Sequence, residues 1–350
     1  MKHERAPLME QPASGAMFAA LIPEDSGTQP AAAHRFSASP IYALLVVASF
    51  ALGLLIGWQA FGRRPAAPAL GVAQDITVPT LPAKDTAGAA LAAAFLDEVN
   101  PPQGYTLPVA YGALGPALLQ SGAIDFDKFA GIYSQAGTPL TQAEIGVLKN
   151  GSDEPIVINA DNARFVLNFF WAVGLANRNS ILTDGPITQY SKGNIDSFAS
   201  TGGWTLAARP VKDVFASQDL ITLSPEQQAR VEEAAAAIYR PCCDNATLFP
   251  DCNHGMAMLG LLELMGSQDA SVGQMLAAAK YVNAYWFPQQ AVEIAIFLKA
   301  AQNVDFSAAD PRMVVGAQLS SASGAGQLHS QLKANGLLPA SPENGGGCGA

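Results

Sequence analysis

From Ile41 to Gly62 the chain reads IYALLVVASFALGLLIGWQAFG, without one charged residue. A helix rises about 1.5 Å per residue, so a run of this length crosses the roughly 30 Å hydrocarbon core of a bilayer. Tyr42 and Trp58 stand near its ends, where amphipathic rings settle at the membrane interface. A buried core helix of this composition would need an equally apolar partner beside it, and a Pro/Ala-rich stretch follows instead. The run also begins too late, and is too long, for a cleaved signal peptide. The expectation is a single N-terminal transmembrane helix at 41–62, with the lipid bilayer as its partner.

The flanks divide the rest of the chain. Residues 1–40 are rich in Ala, Pro, Ser and Gly with scattered charges and no period, which reads as a disordered tail. Residues 63–85 form a Pro/Ala-rich linker. Arg63 and Arg64 would hold the end of the span in the cytoplasm by the positive-inside rule. Against them stand Lys2, Arg5 and Arg35 on the other side, and a linker shaped like a stalk. The balance favours a large C-terminal domain outside the cytoplasm.

Residues 86–338 read as a multi-helix globular domain, all-α, and 339–350 as a flexible Gly-rich tail. Ala-rich helical text runs from Thr86 to Val99 and stops at Asn100-Pro101-Pro102. Asp125–Gly137 and Thr141–Gly151 each open on a capping residue and close at glycine. Asn159–Leu182 carries a broad apolar face that suits a central helix. Ala199–Pro210, with its paired glycines, reads as a loop. Ser224, Pro225 and Gln227 spell a capping box with proline at the first helical position, and that helix should stop near Arg240, ahead of Pro241. Gly255–Gln268, Ser271–Phe287 and Gln289–Asn303 supply three more helices. A net charge of −10, with no Lys/Arg stripe, argues against a nucleic-acid partner, because phosphate binding needs dense positive charge.

Three of the four cysteines fall in one interhelical loop, 241–254, as Cys242, Cys243 and Cys252, with His254 next to them. Soft thiolates joined by an imidazole select Cu(I), zinc or an iron–sulfur centre, and the thioethers of Met256 and Met258 would tilt the set towards copper. Asp251 or Asn253 could cap the following helix, which would place Cys252 and His254 at its positive end and favour thiolate. The leading expectation is a metal site of Cys242, Cys243, Cys252 and His254 holding Cu(I) or Zn, for storage, delivery or structure. The spacing departs from common zinc patterns, because adjacent cysteines in extended backbone point apart.

Two other readings stay open. Cysteine at a helix N-terminus beside a second thiol suits a thiol–disulfide oxidoreductase, with His254 taking a proton, although the CxxC spacing is missing. A structural disulfide, such as Cys243 with Cys252, would staple an anchored interaction domain whose protein partner the sequence leaves undefined. Cys348 in the tail has the reach to join the loop. Asn245-Ala246-Thr247 fits a glycosylation sequon in an awkward place. The chain holds no GxSxG, CxxCH or phosphate-cradling glycine loop, so no enzyme class is assigned.

Overall fold

The centre of the fold is a close crossing of two helices. The computed structural model describes residues 94–338; the tail 1–40, the span 41–62, the linker 63–85 and the C-terminal 339–350 with Cys348 lie outside the described residues. Helices of eight or more residues are labelled in chain order: α1 (Leu114–Ser121), α2 (Phe126–Gln135), α3 (Gln142–Asn150), α4 (Ala163–Ala176), α5 (Pro225–Ala237), α6 (Asn253–Ser267), α7 (Val272–Trp286), α8 (Pro288–Gln302) and α9 (Ala322–Ala334). Among the described residues the architecture is mainly helical, and no helix is long and apolar enough to cross a membrane.

Helices α4 and α6 are buried along most of their length and pack against each other at glycine. A Cβ built on Gly260 would lie 2.6 Å from the Gly174 amide nitrogen, and one built on Gly174 would run into the Met256 carbonyl oxygen. Only glycine on both helices lets the backbones approach this far. Beyond the crossing, the fully buried Glu263 on α6 accepts a hydrogen bond from Asn177 Nδ2 at 3.1 Å, and Asn177 Oδ1 in turn accepts from Ile221 N at 2.9 Å. Burial pushes the Glu263 carboxyl well above its usual range, because charge is costly in this interior.

Around this pair, Phe165, Phe169 and Phe170 of α4 meet Tyr111 in edge-to-face and stacked contacts. Tyr111 belongs to strand β1 (Tyr105–Gly112), which pairs antiparallel with β2 (Ser152–Ile158), Tyr105 opposite Ile158 and Gly112 opposite Ser152. This two-stranded sheet qualifies the all-α expectation. Leu107, Val109 and Tyr111 alternate inward on β1, a short period of two lying between helical segments. Register shifts around Ala110, opposite Pro155, keep the ladder short, as a proline without N–H requires.

Local signals govern where helices start better than where they stop. Ser224 and Gln227 form the expected capping box on α5, and Thr141–Glu144 and Ser271–Gln274 form the same motif on α3 and α7. The long segment 159–182 divides instead of continuing: α4 ends at Ala176, because Arg178 N bonds Gln218 O at 2.7 Å and Gln218 N bonds Ala176 O at 2.9 Å. Residues Ala199–Gly202, expected as loop, make one helical turn before the chain runs irregularly through Trp204. A second apolar cluster joins Val99, α8, α9 and Phe306, and here Lys280 donates to the carbonyls of Phe306, Ser307 and Ala309.

Replacement of Gly174 by Ala should force α4 and α6 apart at their narrowest point and lower stability by about 3 kcal/mol, the upper end of ordinary overpacking costs. Urea unfolding of the purified variant measures this, and an unchanged midpoint would contradict the crossing as described.

Candidate metal centre

Helix α5 ends at Ala237, three residues short of the expected stop at Arg240. The chain turns extended at Ile238 because other elements take its backbone: Tyr239 N donates to Val315 O at 2.8 Å, and Ile238 O accepts from Thr247 N at 2.8 Å. The loop from Ile238 to Cys252 is pinned further by Leu248 N to Ala235 O, Ser200 N to Asp251 O and Asn283 Nδ2 to Tyr239 O. Its outer side also caps α9, since Cys243 O accepts from Ala322 N at 3.0 Å and Asp244 Oδ1 from Ser323 N at 2.8 Å.

Arg240 fills the inside of this loop and is only 1% exposed. Its Nη1 donates to Asn245 O at 2.8 Å, its Nη2 to Asp251 Oδ1 at 2.8 Å and Phe249 O at 3.3 Å, and its Nε to Cys252 Sγ at 3.0 Å. Asp251 Oδ2 is taken by Asn245 Nδ2 at 2.8 Å, so the carboxylate is held from both sides. A buried guanidinium is tolerated only with such complete pairing, and removal of any partner would leave charge stranded. Gly255 makes room for it: a Cβ there would lie 2.5 Å from Arg240 Cζ.

The three loop cysteines come together. Cys242 Sγ lies 3.3 Å and Cys243 Sγ 4.0 Å from Cys252 Sγ, and all three sulfurs fall within 4.8 Å of one another. They are free thiols, Cys242 exposed and the other two half-buried. The tight bend that adjacent cysteines require is supplied by the Arg240–Cys243 bridge. Zinc–sulfur bonds of about 2.3 Å place tetrahedral sulfurs roughly 3.8 Å apart, so the spacing found here is of the right size for one ion. Three cysteines in this arrangement can hold a metal.

Cys252 is itself the N-cap of α6 and accepts from Gly255 N at 3.4 Å, a role the sequence had suggested for Asp251 or Asn253. Those two are otherwise engaged, Asp251 by Arg240 and Asn253 by the His254 amide. Hydrogen bonds with Cys242 and Cys243, then the Arg240 charge and its Nε–H, hold the Cys252 thiol well below the usual range against the opposing effect of burial. The same contacts act in reverse on its neighbours. Hydrogen bonding to Cys243 and Cys252, with burial, pushes Cys242 up. Cys243 is lowered by its contact with Cys242 but raised by Cys252 and by burial, ending at about 11. The contacts therefore lower one thiol of the cluster, Cys252, and raise the other two.

His254 is not part of it. Its ring packs 4.5 Å from Phe287 and 5.7 Å from Trp286, and its buried Nδ1 has no partner among the described residues. Burial depresses its pKa to about 4, with Cys252 opposing and Arg240 adding to the shift. Met256 and Met258 are fully buried in the main core, as helix-packing residues. In the sequon, Asn245 is tied to Asp251 and Thr247 is fully buried with its Oγ1 on Ile238 O, which leaves little room for a glycan. The residue that sequence reasoning missed is Arg240, whose only advance signal is a cation standing just before the cysteine pair.

Comparison of the chain with protein-family models, with curated proteins and with solved structures finds no match. The arrangement of Arg240 and the three thiols therefore stands on its own chemistry.

Since folding lowers the His254 pKa from 6.5 to about 4, the unfolded chain takes up the proton first as pH falls. Its contribution is complete above the unfolded value and is lost on descending from pH 6.5 to about 4. The full shift corresponds to about 3 kcal/mol, and partial exposure of the residue reduces the expected loss to about 2 kcal/mol. Denaturant unfolding across this window should show the decline, and His254→Phe should flatten it.

Proposed function

We propose that this chain is a membrane-anchored protein whose helical domain binds a soft metal ion through Cys242, Cys243 and Cys252, with Cu(I) ahead of Zn(II), and serves in metal storage or delivery. The observation that carries the reading is the convergence of three sulfurs on one point. The ligand set supports Cu(I) because it is all sulfur and three in number, while structural zinc takes four ligands. Within the loop, Asp251 is consumed by Arg240 and Asn245, and His254 sits among aromatic rings, so neither supplies a fourth donor. Arg240 offsets part of the negative charge that three thiolates around a monovalent ion would gather. The exposed position of Cys242 favours exchange of the ion with a partner over permanent burial. The charge-free run at 41–62 would hold the domain at a bilayer.

Full-length protein purified in detergent without chelator should carry about one equivalent of copper or zinc, and Cys252→Ser should lose most of it, because Cys252 is the sulfur that both other thiols approach. Cys348→Ser should retain the metal. Elemental analysis beside a thiol count reads all three proteins. Wild type that takes up neither Cu(I) nor Zn(II), with all loop thiols open to alkylation, would overturn the reading. The anchor is checked separately: deletion of residues 41–62 should move the chain from the membrane fraction to the supernatant, as expected when a bilayer-spanning segment is lost.

A further inference from the structure

The distances within the cluster are unequal, and the inequality has chemical content. A disulfide bond is about 2.05 Å long, so Cys242 Sγ must move about 1.2 Å to bond Cys252, whereas Cys243 Sγ must move about 2 Å. Cys243 is also the less free of the two. Its amide donates to Arg240 O at 3.4 Å, its carbonyl accepts from Ala322 N at 3.0 Å, and its thiol has acceptors of its own in Asp251 Oδ1 at 3.7 Å and Asn245 O at 3.8 Å. Cys242 is exposed.

Cys252 is set up as the nucleophile by its donors. Arg240 Nε–H and the Gly255 amide both donate to its sulfur, at the N-terminal end of α6, and Cys242 Sγ stands 3.3 Å away. Cys252 is half-buried as a residue, beside the exposed Cys242.

The geometry points to a hydroperoxide-reactive thiol pair: in the metal-free protein Cys252 is oxidised by hydrogen peroxide and resolved by Cys242 into a reversible disulfide, while Cys243 stays reduced. Cys252 Sγ attacks one peroxide oxygen, the O–O bond breaks, and the departing hydroxide takes a proton from solvent to leave as water. The resulting sulfenic acid is attacked at sulfur by Cys242 Sγ, the S–OH bond breaks, and that hydroxide leaves as a second water with the Cys242 proton. Two thiol sulfurs lose one electron each and one peroxide is reduced to two waters. The step does not depend on the metal reading, because it concerns the thiols alone. It does imply that oxidant and metal compete for the same sulfurs.

The test uses full-length protein in detergent, stripped of metal and treated with hydrogen peroxide, then alkylated and cleaved before aspartate. Cleavage at Asp244 and Asp251 separates the peptide ending in Cys243 from the one beginning at Asp251. Mass spectrometry should find these two peptides joined, two thiols lost, and the link reversed by dithiothreitol. Fragment ions in the wild-type peptide should assign the bond to Cys242, which keeps the test sound if a variant misfolds. Cys243→Ser should still form the Cys242–Cys252 link, and Cys242→Ser should cross-link roughly tenfold more slowly than wild type, since the nearer resolving thiol is gone. Three outcomes would each overturn the inference: a link assigned to Cys243, a Cys242→Ser protein that cross-links as fast as wild type, or a Cys252 that stays reduced or accumulates as sulfinic acid.

Discussion

The approach of α4 to α6 at Gly174 and Gly260 is the constraint on which the rest is built. Two helices separated by backbone alone cannot slide or rotate without collision, so the crossing fixes the axial position of α6 relative to the aromatic cluster on α4. The N-terminal turn of α6 then projects to one place, and Cys252 and Gly255 go with it. What arrives from the other side is the loop after α5, held by backbone bonds to Val315, Ala235 and Ser200. The sulfur cluster is therefore assembled where a rigid helix end meets a loop that is tied at several points along its length.

Within that junction the interior charge organises the polar groups. Arg240 donates to two loop carbonyls, a carboxylate and a sulfur, so it acts as the internal template around which residues 240–252 wrap. The Cys252 sulfur completes the set of acceptors, and the contact that helps close the loop also lowers the Cys252 thiol. The loop thus closes on a guanidinium that pairs with the Asp251 carboxylate and also reaches the Cys252 sulfur.

The sequence made some of this legible and withheld the rest for identifiable reasons. Capping boxes are local, three residues long and self-satisfying, so Ser224–Gln227 could be read without knowing the fold. The clustering of Cys242, Cys243 and Cys252 was visible for the same reason. The end of α4 and the early end of α5 were not, because Gln218 and Val315 compete for their backbones from far along the chain. The exclusion of His254 from the cluster depends on Trp286 and Phe287 at the end of α7, and the burial of Arg240 on a helix whose position is set by another. The strand β1 is hard to read because Pro108, on its outward face, is a poor strand residue set among the inward Leu107, Val109 and Tyr111.

The contact between Arg240 and Gly255 makes one unit of two positions that are far apart in sequence. Any side chain at 255 would occupy the space of the guanidinium. In a lineage of such chains the two would have to drift together: a cation before the cysteine pair survives only where the third residue after the last cysteine stays bare. A pattern of Arg, one residue, Cys-Cys, eight residues, Cys, two residues and Gly is thus more selective than the cysteines alone, because it carries the room that the buried guanidinium needs.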